Sequence, residues 1–145
     1  MNDLEIERAT DELRQLVGWG ATPDRIVTKP TLRRWSQLNR QGEDVPPQHP
    51  GNVMVRWLTR SIKDMEDDFV VRGQPVDAIQ MRRCLRLLLK LEGKDQSAKN
   101  RRARVLQLLG LNFPLSQMRR PSSPEREMLG LLAEHLWHHS HGTNS

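Results

Sequence analysis

The chain has no tyrosine, two phenylalanines (Phe69 and Phe113) and one cysteine, Cys84. A single thiol excludes an intrachain disulfide and any cysteine-based zinc site. Strands draw on aromatic and β-branched side chains, so an aromatic set made up mostly of four tryptophans argues against a sheet protein. Long hydrophobic runs are missing too. The most apolar stretch, Cys84 to Leu91, is interrupted by Arg86 and Lys90 and is far too short to span a bilayer. The opening residues, Met1-Asn2-Asp3-Leu4-Glu5, are acidic and lack the apolar core of a signal peptide. There is no glycine-rich phosphate loop, no nucleophile elbow and no spaced pair of loop carboxylates. There is also no internal repeat. These absences set the expectation of a non-enzymatic cytoplasmic protein without cofactor or metal.

What the chain does contain is leucine, arginine, glutamine and glutamate in quantity, all good helix formers. Its 145 residues suit one ordinary domain. The expected fold is all-α: a single compact domain of about six to seven helices over residues 1–137, followed by a polar flexible tail over 138–145. Apolar residues at three- and four-residue steps predict helices over 3–17, 31–41, 52–67, 76–91, 97–109 and 124–137, with a short turn of helix through Ile26 and Val27. Gly42, Pro46, Pro47, Pro50 and Gly51 mark a loop, as do Pro114 and Pro121. Phe69-Val70-Val71 reads as a short extended piece. Counting the short turn as the second, the fifth helix, over 76–91, has the widest apolar arc (Met81, Cys84, Leu85, Leu87, Leu88, Leu89 and Leu91) and is expected at the centre of the domain.

Charge is distributed unevenly. Eleven of the 23 lysines and arginines fall between Gln74 and Pro121 against three acids, so this segment carries +8 while the whole chain carries +5. The remainder is net acidic. Such a split suggests an anionic partner on one side of the molecule.

Arg82, Arg83, Arg86 and Lys90 occupy the polar third of the fifth helix. With Lys94, Lys99, Arg101, Arg102, Arg104, Arg119 and Arg120 they form either a phosphate-tracking surface, with the salt dependence that counterion release imposes, or a solvated face. Lys99-Asn100-Arg101-Arg102-Ala103-Arg104 also has the look of an arginine-rich helix that enters an RNA groove. Arg101 and Arg102 fall on or beside the apolar arc of their helix and so need an acceptor. Either an internal carboxylate such as Glu66, Asp67 or Asp68, or an external phosphate held bidentately, would serve.

A second candidate set is Arg33, Arg34 and Arg40. Thr22-Pro23, the break at Lys29-Pro30 and the helix that follows combine with the first helix into a helix-turn-helix-like N-terminal unit. Its second helix is short for that pattern, and a plain helical hairpin packed on Trp35 is the alternative. His135 and His139 are i, i+4 neighbours, a spacing that can bind metal. They lie near the expected tail with no cysteine beside them, and no metal site is expected. Cys84 reads as a buried structural thiol.

The leading expectation is a small nucleic-acid-binding or regulatory protein that uses a basic face on DNA or RNA. The alternative is an adaptor or effector module that docks an acidic protein surface. The acidic first helix adds a candidate for homo-oligomer formation.

Overall fold

The computed structural model describes residues 3–38 and 49–141. Seven helices and one small hairpin make up this part of the chain: α1 (Asp3–Val17), α2 (Pro23–Ile26), α3 (Pro30–Leu38), α4 (Pro50–Lys63), β1 (Phe69–Val71), β2 (Gln74–Val76), α5 (Ala78–Leu88), α6 (Ala98–Leu109) and α7 (Pro124–Ser140), with a 3-10 turn at Leu115–Gln117. The mostly helical architecture is as expected. The ends of several elements differ, each for a local reason.

The helix starts are chemically specified. Asp77, Ser97 and Ser123 each accept the backbone N–H three residues on, at 2.8, 3.1 and 3.1 Å, which satisfies one of the free donors of a first turn. His49 does the same for α4, its Nδ1 accepting the Gly51 N–H at 3.1 Å. The start of α3 is capped from a distance. The buried Glu12 carboxylate of α1 accepts the N–H groups of Thr31 and Leu32 at 3.1 and 3.0 Å. Pro30 ahead of them has no N–H to satisfy.

Two corrections concern the middle of the chain. Helix α4 ends at Lys63 rather than near Asp67, so Glu66, Asp67 and Asp68 lie beyond its C-terminus. The helix predicted from residue 76 starts at Ala78, because Pro75 and Val76 belong to a strand. Pro75 sits in β2, where Phe69, Val70 and Val71 pair antiparallel with Val76, Pro75 and Gln74. The turn residues Arg72 and Gly73 both have positive φ, 54° and 77°, as a two-residue hairpin turn with the right twist demands. Helix α7 holds this turn in place. Both oxygens of the Glu127 carboxylate lie 3.2 Å from the Arg72 N–H, Arg72 Nη1 donates to the Ser122 carbonyl at 2.7 Å, and the guanidinium lies over the Phe113 ring.

The central element is α7, not α5. It packs against α1, α3, α4, α5 and β1 and buries Met128, Leu129, Leu132, Ala133 and Leu136. Its charged first turn is absorbed by residues around it: Glu125 by Arg102 of α6, Arg126 by Asp11 of α1, and Glu127 by the hairpin. The helix also runs past Trp137 to Ser140, which is buried. The supposed tail therefore remains helical for three further residues. His141 stacks on Trp137 and meets the edge of Trp35, and these ring contacts support the last turn.

The core joins Leu13 and Leu16 of α1, Trp35 of α3, Met54, Leu58 and Ile62 of α4, and Leu85 and Leu88 of α5 to the buried face of α7. Leu38, the last residue of α3, is exposed. Cys84 is fully buried, and burial pushes its thiol up to about 12. It is a packing residue, inert as a nucleophile.

Helix α2 is only one turn long and packs on the start of α4, so α1–α3 is not a freestanding tri-helical unit. Gly51 makes the approach possible. A Cβ at this position would lie 2.1 Å from the Pro23 carbonyl oxygen. Gly51→Ala is expected to destabilise the fold by about 1–3 kcal/mol through overpacking, read as a lowered urea midpoint. An unchanged midpoint would show that α2 yields freely.

Candidate nucleic-acid interface

The structure divides the candidate arginines and lysines into three groups. The first is buried. Arg101 is 1% exposed and Arg102 is 7% exposed, so neither projects from α6 as a free surface charge. Arg101 reaches between the C-termini of two helices. Its Nη1 donates to the carbonyls of Leu87 and Leu88 at the end of α5, at 3.0 and 2.9 Å. Its Nη2 donates to those of Val17 and Gly18 at the end of α1, at 3.0 and 3.4 Å. Its Nε adds the Gln96 carbonyl at 3.3 Å. Helix C-termini carry partial negative charge and orphan carbonyls, and one guanidinium answers both. Burial pushes its pKa below the usual guanidinium range, with the Arg102 charge acting in the same direction and Glu125 opposing. Arg102 instead forms a fork with the Glu125 carboxylate, Nε to Oε1 at 2.6 Å and Nη2 to Oε2 at 3.2 Å. Both residues therefore have internal acceptors. The partner cluster Glu66, Asp67 and Asp68 plays no part in either.

The second group is tethered. Arg83 and Arg86 share the Glu92 carboxylate at 3.4 and 3.2 Å, which leaves one net positive charge on the three. Arg82 donates to the Met65 carbonyl at 2.5 Å and is half-buried. Lys90 follows the end of α5 in the left-handed region, φ 60°, with its stem packed on Gly20. On α3, Arg34 pairs with Glu5, which also accepts the Trp35 Nε1–H. Arg33 is exposed, and Arg40 lies outside the described residues. The α3 set is thus reduced to one open guanidinium among the described residues. The N-terminal N–H groups of that helix are covered by Glu12.

The third group is open. Arg104, Arg119 and Arg120 are exposed, as is Lys99. Arg104 makes a single hydrogen bond to Gln107, at 3.2 Å. None of the four forms an ion pair within the described residues. They belong to a segment, 96 to 124, that contains no aspartate or glutamate. Two concavities border α6 and include members of this set. One, of 510 Å³, is lined by Lys99, Arg102, Leu115, Ser116 and Arg119. The other, of 550 Å³, is lined by Gln96, Asn100, Ala103, Arg104 and Gln107. Among the described residues no carboxylate lines either. Sequence reasoning placed Ser116 and Leu115 in an unstructured loop. Only the 3-10 turn against α6 reveals them as walls of a cavity, and nothing in their local pattern announces it.

The acids of α1 are largely engaged within the chain. Glu5 holds Arg34, Asp11 holds Arg126 and Glu12 caps α3, which leaves less negative charge for pairing with a second copy. His135 Nε2 donates to the Ser61 carbonyl at 2.7 Å, and burial lowers its pKa. Among the described residues no group of three or more His, Cys, Asp and Glu side chains is placed to hold a metal ion, and no helix is long and apolar enough to cross a membrane. No protein-family model, curated protein or solved structure matches the chain.

Proposed function

We propose that the protein is a non-enzymatic, cytoplasmic nucleic-acid-binding protein that grips phosphate through Lys99, Arg104, Arg119 and Arg120. The observation that carries this reading is the acid-free segment 96–124. It sets these four cations on α6 and the adjoining turn, exposed and without a carboxylate partner among the described residues. Guanidinium and ammonium groups free of internal partners retain their full worth toward phosphate. Arg83, Arg86 and Lys90 on the neighbouring α5 and its C-terminus add a weaker flank. Phosphate contacts of this kind confer affinity without much sequence preference.

The adaptor alternative predicts a contiguous apolar patch beside the basic face. The large apolar residues most exposed in the structure are Leu4, Trp19, Leu38, Val70 and Ile79. They come one each from five separate segments, none of them α6 or the 115–120 turn. Trp19, 68% exposed, is partly covered by the Arg25 guanidinium 4.8 Å from its ring centre. This supports nucleic acid over an acidic protein.

Fluorescence anisotropy with a labelled duplex DNA and a structured RNA, from 50 to 200 mM salt, tests the proposal. Four phosphate contacts predict a slope of log affinity on log salt of about −3.6 on DNA. The double variant Arg119→Ala, Arg120→Ala is expected to reduce that slope by about 1.8 while the fold is retained, since neither side chain holds another element. Absence of binding to both probes at the lowest salt would refute the reading.

A further inference from the structure

We propose that the cavity between the first turn of α6 and the 3-10 turn is a binding site for one phosphomonoester group. Its walls are Lys99, Arg102, Leu115, Ser116 and Arg119, and its 510 Å³ lie in the range of small-molecule pockets. Three features specify the ligand. Lys99 and Arg119 supply two positive charges with no carboxylate partner among the described residues. A phosphomonoester carries between −1.5 and −2 near neutral pH, so the charges match, whereas a phosphodiester supplies only one. Arg102 is nine-tenths buried, its side chain 9% exposed, and locked in place by Glu125. That fork uses Nε and Nη2 and leaves Nη1 uncommitted among the described residues. The arginine is therefore preorganised to donate at the cavity wall without losing rotamer freedom on binding. The Ser116 hydroxyl adds a donor that rotates to suit an oxygen. Leu115 gives an apolar surface for the group that carries the phosphate.

The site stands independently of the nucleic-acid reading, because the same chemistry comes from two sources: the phosphorylated end of a strand, or a free phosphorylated small molecule. Titration of the full-length, isotopically labelled chain with inorganic phosphate at constant ionic strength, followed by NMR, tests the site itself. Saturable shifts are expected at the amides of Lys99, Ser116 and Arg119, and they are expected to vanish in Ser116→Asp, which places a carboxylate in the cavity at an exposed position. Shifts that do not saturate in the wild-type chain, or that persist unchanged in Ser116→Asp, overturn the proposal. Two further arms separate the sources. A 5′-phosphorylated hexanucleotide binding about tenfold tighter than its 5′-hydroxyl counterpart identifies a strand end. Equal binding of the two, or of neither, with saturable binding of a sugar phosphate supports the site with a small-molecule ligand, and the last case removes the nucleic-acid reading alone.

Discussion

Arg101→Met is expected to destabilise the protein by about 4 kcal/mol or more, a large share of the stability of an ordinary domain. Five backbone carbonyls take hydrogen bonds from this side chain. A buried acceptor that loses its donor costs about 1–3 kcal/mol, and methionine supplies no replacement. Domains of ordinary size have a total stability of only about 5–15 kcal/mol. Arg101→Lys keeps the charge at the two helix ends but not the planar fork that reaches both, so an intermediate loss of about 2 kcal/mol is expected. Urea unfolding of the wild-type chain and both variants, followed by circular dichroism, reads the series. A methionine variant within about 1 kcal/mol of wild type would show that the convergence of α1 and α5 on Arg101 is incidental.

The second large effect is expected at Glu125, the buried partner of Arg102. Glu125→Gln removes the charge that balances a 7% exposed guanidinium. Breaking a buried pair from one side costs about 3–5 kcal/mol, because the remaining charge is stranded. Removing both charges is a different matter. The double variant Arg102→Met, Glu125→Leu is expected to regain most of that loss, since apolar replacements of buried pairs are often neutral or stabilising. The double-mutant cycle isolates the coupling between α6 and α7. Equal losses in the single and the double variants would assign the effect to packing rather than to charge.

The same two arginines show how far the sequence could be read. Their place on an apolar arc demanded an acceptor, and both have one inside the molecule. The identity of the acceptors was out of reach. Glu125 lies 23 residues from Arg102, and the carbonyls that hold Arg101 belong to backbone that any residue would supply. Helix positions were legible because their apolar stripes are local, and Ser123 stands ahead of Pro124 where a first turn needs an acceptor; Asp77 and Ser97, the caps of α5 and α6, fell inside the predicted helices. The hairpin was legible only in part. Its strands are three residues each, too short to show alternation, and Arg72-Gly73 has only half the usual composition of such a turn. The wide apolar arc of α5 suggested a central helix. The burial of α7 on several sides was hidden, because the charges of its first turn look solvent-facing until their partners are seen.

The candidate face was legible as a concentration of charge but not as a list of contacts. Counting arginines treats Arg101, Arg83 and Arg119 alike. Tertiary contacts bury the first, pair the second with Glu92 and leave the third open. That sorting narrows the expected surface from fourteen residues to the four on α6 and the 115–120 turn.

The most direct test of this account is chemical-shift mapping of the labelled chain with a short duplex at low salt. The expected result is a contiguous set of perturbed amides on α6 and on residues 115–120, with Lys99, Arg104, Arg119 and Arg120 at its centre and α3 unaffected. A set of shifts centred on Arg33 and the exposed side of α3 would contradict it and return the interface to the N-terminal helices.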